Sequence, residues 1–264
     1  MEPFRAPETS VVPIGDEVPR RSVMGLTWRF VWECGLVLSL FLGYRYARRV
    51  TRNDSAEAME NARRVISIER ARGIFLEPLL QDVTMLSEHL VFGLNRYYVS
   101  VHFPLTGVFV AWVLVRHFDR FSSVRNWLIV VTGSALAIHI LFPLAPPRLV
   151  RDADMVDTLR RYGPSIYPVD TTESLANQFA AMPSLHFGWA LIVALGFVAI
   201  RGTRRSWLAM LHPTITLLAI VATGNHYFAD AAVAAVLVIG AGATFGMLEI
   251  RRSGAMVHPC HVPR

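Results

Sequence analysis

The sequence predicts an all-α fold, a polytopic membrane helical bundle with a six-helix transmembrane core plus an amphipathic interfacial helix. Three observations predict it. Hydrophobic residues fill 53% of the 264 positions and charged residues only 17%, which is more apolar and less charged than a soluble domain. Six stretches, 23–44, 97–115, 126–144, 184–200, 207–224 and 227–248, are long and apolar enough to cross a bilayer, a crossing that takes roughly 17 to 25 residues of helix. Charge or turn residues bound each of them.

Residues 1–22 carry acids and prolines without an apolar core, so they read as a loose tail, and the run from Val23 as a retained anchor rather than a cleaved signal. Within the first span Arg29 and Glu33 stand four apart, where they can neutralise each other. Over 55–94, Leu76, Leu79, Leu80, Val83, Leu86, Leu90 and Leu94 recur at helical spacing, and Glu77, Asp82, Glu88 and His89 occupy other positions. This pattern predicts an amphipathic, interfacial helix with Glu77 and Glu88 on its wet face. A membrane crossing here would drag three acids into hydrocarbon.

Orientation follows from the arginines. Arg116, Arg120 and Arg125 join two spans, Arg201, Arg204 and Arg205 join two more, and Arg251 and Arg252 follow the last; that side is expected to be cytoplasmic. The loop 145–182 and the turn at Asn225 and His226 then face the other side. The arginine-rich segment 45–72 runs against this count if residues 73–94 do not cross. In the last span Ala231, Ala232, Ala234, Ala235, Gly240, Gly242 and Gly246 predict close approach to a neighbouring helix near His226. Residues 23–250 are expected to form one membrane-embedded domain, and 251–264 a C-terminal tail.

The net charge is +6, and all 26 basic residues are arginine. Most sit beside apolar segments, so membrane orientation accounts for them and no nucleic-acid partner is expected. Without lysine, Schiff-base chemistry and lysine phosphate clamps are excluded. Cys34 and Cys260 make neither a disulfide framework nor a metal spacing.

Three polar clusters fall at helix ends on the predicted non-cytoplasmic side: "FPLAPPRLV" with Arg148, "MPSLH" with Ser184 and His186, and "TGNHYFAD" with His226 and Asp230. His226 and Asp230 are one helical turn apart, so the carboxylate can hold one ring nitrogen and leave the other as a lone pair, the arrangement of an oriented nucleophile. Free N–H groups after Pro183, with the Ser184 hydroxyl, form an anion site, and His186 can donate a proton to a leaving oxygen. The planar fork of Arg148 matches two phosphate oxygens. Each cluster alone also fits a structural role: a His–Asp tie at a helix start, a helix cap, an arginine among lipid headgroups. Together they match metal-independent phosphoryl transfer, with no metal and no cofactor required. Tyr98 and His102, four apart near the outer end of their span, can bind a headgroup at the rim or serve as core polar residues. His139 and His212 lie in spans without chemical partners and read as structural.

The clusters "APPR", "PSLH" and "HYFAD" resemble the three signature motifs of the type 2 phosphatidic acid phosphatase superfamily, and the longer forms "FPLAPPR", "AAMPSLHFGWA" and "TGNHYFAD" resemble most its branch of inositol phosphorylceramide synthases, inositolphosphotransferase-like enzymes. The resemblance implies a six-helix membrane core, a site facing away from the cytoplasm and a phosphohistidine intermediate. It implies His226 as nucleophile, Asp230 as its orienter, His186 as general acid, and Arg148 and Ser184 as phosphate holders. It implies an integral protein of the plasma (inner) membrane whose partners are membrane lipids, a phosphate-bearing lipid among them as substrate. Two positions depart from the family pattern: the lysine that opens the first motif is missing, and Ile220 stands where an arginine is usual. Either Arg151, Arg160 or Arg161 replaces those cations, or the substrate is a diester of lower charge. Competing expectations are a redox bundle in which His102, His139, His186 and His226 ligate haem or metal, and an inactive scaffold of the same fold.

Overall fold

The computed structural model describes residue 35, residues 55–163 and residues 179–246. The tails 1–22 and 251–264, and the predicted span 23–44 apart from Gly35, lie outside the described residues, as do the Arg29–Glu33 pair and both cysteines.

Where the leucine periodicity predicts one helix over 55–94, the chain forms three. Helix α1, Ser55–Ala71, ends as Gly73 takes φ +67°, the left-handed conformation that terminates helices. Helix α2, Glu77–Met85, starts afresh with Pro78 in its first turn. Helix α3, Glu88–Ser100, is capped by the Ser87 side chain, which accepts from Leu90 N–H. The leucine face is not the buried one, and of the polar positions 77, 82, 88 and 89 the first is buried and the other three are exposed. Leu76, Leu79, Val83, Leu86 and Leu90 are exposed, and Glu77, Gln81 and Asn95 are buried. Glu88 is exposed as expected, but Glu77 is not on the wet side at all. A helix bundle that meets lipid turns its leucines outward and its polar groups toward partners inside, so hydrophobicity alone points the wrong way here.

Helix α4, His102–Arg116, continues from α3 through a 46° bend. Helix α5, Phe118–Leu141, has 24 residues, about 36 Å of rise, enough for a hydrocarbon core of about 30 Å. Two short 3₁₀ turns and the five-residue α6, Thr158–Tyr162, follow. Helix α7, Leu185–Arg201, is capped by Ser184 and closed by Gly202. A 3₁₀ segment, Arg204–Met210, runs into α8, Leu211–Ala222. Helix α9, Phe228–Ala241, ends in a π turn, Gly242–Gly246.

By length and composition, among the described residues α5 and the stretch Arg204–Ala222 can cross a membrane, and the bent α3–α4 pair, counted as one span, brings the number to three; α7 and Phe228–Thr244 are shorter apolar helices. The predicted spans at 126–144 and 207–224 thus coincide with long helices. That at 97–115 is broken at Val101, that at 184–200 matches Leu185–Arg201 in length, and that at 227–248 is helical over Phe228–Ala241 with a π turn to Gly246, its last two positions lying outside the described residues.

Helix α7 is central and packs on α4, α5, α8 and α9. Trp127, Val131, Leu191, Ile192 and Val238 fill one core and Phe109, Val113, Val124 and Val193 another. The small residues of α9 do admit close neighbours. A Cβ on Gly188 of α7 would lie 3.7 Å from that of Ala234, and one on Gly242 would stand 2.7 Å from the Trp127 indole. Gly242 is therefore packed against Trp127 within the chain. Because α5 starts near Arg120 and Arg125 and finishes near His139, while α7 runs from Ser184 to Arg201, the arginine loops and the three polar clusters occupy opposite ends of the bundle.

Candidate active site

Backbone hydrogen bonds bring the three clusters together across about 80 residues of sequence. Leu144 N–H donates to Phe179 O and Ala181 N–H to Leu144 O, a one-pair parallel bridge joining the loop before Arg148 to the loop before Ser184. Arg148 N–H donates to Gly224 O, and Ser184 N–H to Asp230 O. Side chains close the remaining gaps: Tyr227 Oη–H donates to Ala145 O at 3.2 Å, Asn61 Nδ2–H to Pro143 O at 3.0 Å. The residues that make these bonds are buried, apart from the half-buried Arg148 and Phe179, so the bonds avoid the cost of unpaired peptide groups.

His226 Nδ1 lies 2.8 Å from Ala181 O and 3.1 Å from Asp230 Oδ2. Both are acceptors, so Nδ1 carries the proton and Nε2 keeps its lone pair. Asp230 Oδ2 also accepts from Tyr227 N–H at 2.9 Å, which fixes the carboxylate as firmly as the carboxylate fixes the ring. Burial, the largest cause, and the nearby Arg148 charge push the His226 pKa down to about 3, against the opposing pull of the Ala181 carbonyl. The imidazole is therefore neutral in the physiological range, and its bond to Asp230 is a hydrogen bond rather than an ion pair.

The His186 ring centroid is 6.2 Å from that of His226. His186 sits in the first turn of α7, whose N-cap Ser184 is fully buried and accepts from Phe187 N–H at 3.4 Å; the hydroxyl hydrogen remains for another acceptor. His139 Nε2 bonds Pro183 O at 3.1 Å, so this residue, read as structural from the sequence, anchors the loop that carries Ser184. Tyr98 and His102 both pack on His186, with ring centroids 4.5 and 4.8 Å away. His102 Nδ1 is buried and meets no donor or acceptor among the described residues. His212 is tied to Tyr97 between α8 and α3.

Arg148 is aimed by partners the sequence did not single out. Its Nη1 donates to Asn225 Oδ1, and its Nε lies 3.5 Å from Asp157 Oδ2. Asn225 stands beside His226 in the "TGNHYFAD" cluster, a signal that was available; Asp157 carried none. Ile220, at the position of the missing arginine, is fully buried in an apolar cluster with Val221 and Ala231. Arg151, Arg160 and Arg161 are exposed. The cation whose charge acts on His226 is Arg148.

Gly224 holds φ +70°, and a Cβ there would meet Arg148 Cβ at 3.1 Å and Val156 O at 3.4 Å. Gly224→Ala is expected to cost about 1 to 3 kcal/mol. Thermal unfolding in detergent should show the loss; an unchanged melting temperature would mean that this turn relaxes freely.

The redox alternative needs histidines facing each other across a cofactor. Here the His102 and His186 rings lie 4.8 Å apart by centroid, with no space for a porphyrin between them. Among the described residues, no group of three or more His, Cys, Asp or Glu side chains is placed to hold a metal ion.

No curated protein and no solved structure gives a significant match to the chain. A family model described as the PAP2 superfamily, whose members are phosphoesterases, matches residues 63–244. That range contains α2 to α9, most of α1 and all three clusters, and the chain belongs to the PAP2 superfamily.

Proposed function

We propose that this membrane protein is a lipid phosphatase or phosphotransferase, acting on a phosphate-bearing lipid at the non-cytoplasmic face through a phosphohistidine on His226. One observation carries the reading: two acceptors pin Nδ1–H of a buried, neutral imidazole, leaving Nε2 as a nucleophile beside Arg148 and His186. In the first step Nε2 attacks phosphorus, the bond to the leaving oxygen breaks, and His186 gives that oxygen a proton. In the second, water or an acceptor alcohol loses its proton to His186 and attacks phosphorus, and the P–N bond breaks. Arg148, the Ser184 hydroxyl and the first N–H groups of α7 hold the equatorial oxygens. Tyr98 and His102 contact the headgroup.

Among the described residues Arg148 is the cation that acts on His226, where the family pattern calls for further cations, and this suits a diester of low charge. This favours headgroup transfer of the inositol phosphorylceramide synthase type over monoester hydrolysis. The outward leucines of α2 and α3 favour lipid contact, and a six-span core in the plasma membrane fits the apolar segments and the arginine count.

Incubating purified protein with labelled phospholipids, with and without inositol- or ceramide-type acceptors, tests the reading. A headgroup-transfer product that requires the acceptor supports it, and no phosphate or headgroup turnover with any lipid would end it. Arg148→Ala is expected to lower kcat by about 100- to 1000-fold with a smaller effect on KM. An effect on KM alone would demote Arg148 to substrate binding.

A further inference from the structure

Outside the three clusters, a pair of buried carboxyls comes from α1 and α2. Glu69 is 3% exposed and Glu77 is 0% exposed. Glu77 Oε1 accepts from Phe228 N–H at 2.9 Å and Glu69 Oε1 from Ala229 N–H at 3.3 Å. Asp230 Oδ2 takes the preceding Tyr227 N–H. Three successive amides at the start of α9 thus end on three carboxyls from three different elements.

Set on adjacent amides of one turn, the two carboxyls act on each other, the charge of Glu77 on Glu69. Their remaining oxygens, Glu69 Oε2 and Glu77 Oε2, are buried and reached by no N–H or hydroxyl among the described residues. Two buried carboxyls on neighbouring amides repel each other when both are charged, so the pair is expected to hold one proton and one negative charge near neutral pH. That charge faces the positive end of α9.

We propose that Glu69 and Glu77 are positioning residues, a buried carboxyl pair that clamps the first turn of α9 and thereby sets the Asp230 carboxylate against His226. The clamp acts on the nucleophile proposed above and rests on that reading for its catalytic consequence. Neither carboxyl touches the reacting atoms. Their leverage comes from place: Phe228 and Ala229 lie between His226 and Asp230, so any shift of this turn changes the angle at which Oδ2 meets Nδ1.

The pair titrates. Burial, then the charge of Glu77, raise the Glu69 pKa from 4.5 to about 8, and burial raises that of Glu77. The groups facing the pair are Asp230 and Tyr227 at the start of α9, with His226 beyond Asp230. For a raised carboxyl the sign is clear. The folded protein keeps a proton that the unfolded chain has given up above 4.5, the advantage fades as pH rises, and above about 8 a second buried charge appears in the fold. Repulsion between Glu69, Glu77 and Asp230 should then loosen the turn.

The experiment uses the full chain in detergent, comparing wild type with Glu77→Gln, Glu69→Gln and Glu77→Ala on both sides of pH 8. Amide exchange at Phe228 and Ala229, corrected for intrinsic rates, reads the clamp. Binding of tungstate, a tetrahedral dianion whose charge is constant over this range, reads the site. In wild type both amides are expected to lose about 10-fold in protection above pH 8, with tungstate affinity falling in parallel. Either glutamine variant should abolish that step while keeping the melting temperature, and Glu77→Ala should lose protection at every pH. Persistence of the step in both glutamine variants, or wild-type protection in Glu77→Ala, overturns the proposal. Protection that changes as expected while tungstate never binds wild type supports the clamp and overturns the phosphate-site reading instead.

Discussion

His226→Ala is expected to lower phosphoryl turnover by on the order of 10⁴-fold or more, the scale for loss of a covalent nucleophile. The variant should still fold. Asp230 Oδ2 keeps its Tyr227 donor, and only Ala181 O loses a partner, a deficit of about 1 to 3 kcal/mol. The measurement has two parts: turnover of the labelled lipid, and trapping of a phosphorylated protein by an alkaline detergent quench. Wild type should carry an acid-labile, base-stable label that the variant lacks. Full turnover in His226→Ala would move the nucleophile elsewhere, and a label that survives would do the same.

Asp230→Asn should be nearly as damaging, by about 10³- to 10⁴-fold in kcat, as for an orienting aspartate in a triad. One oxygen, Oδ2, serves both Tyr227 N–H and His226 Nδ1–H, and Oδ1 is buried without a donor among the described residues. Asparagine can supply the shared oxygen only by placing its NH₂ at that donor-free position. The alternative flip turns the amide toward His226 and forces the proton to Nε2, which removes the lone pair. Either way, no charge remains to stabilise a positively charged phosphohistidine. Kinetics across pH with a folded variant will show the effect. A variant with normal kcat would reduce Asp230 to a helix tie, the structural role its sequence spacing also allowed.

Much of the site was legible because its parts are local. An imidazole and a carboxylate four residues apart must share a helix face or a helix start, and His226 and Asp230 do. Ser184 caps α7 as its place before an apolar run implied. Arg148 was legible as a candidate, but its aim was not. That depends on Asn225 and Asp157, which are 77 and 9 residues away along the chain. Tyr98 and His102 read as a rim contact, and they pack on His186. Glu77 was misplaced because a polar residue on a leucine-rich helix looks wet when the solvent is assumed to be water.

From the chain alone came the helical class, the long apolar segments at 126–144 and 207–224, and the gathering of chemical residues at helix ends. These rest on the period of the helix and on the reach of a few residues, both local quantities. Tertiary structure decided which side of α2 and α3 turns inward, which arginine governs His226, and that two distant glutamates meet at the start of α9. The physical reason is that the backbone bonds joining 144 to 179, 148 to 224 and 184 to 230 depend on how whole helices pack. Where the surroundings of the bundle are themselves apolar, hydrophobic pattern no longer says which face is the inside.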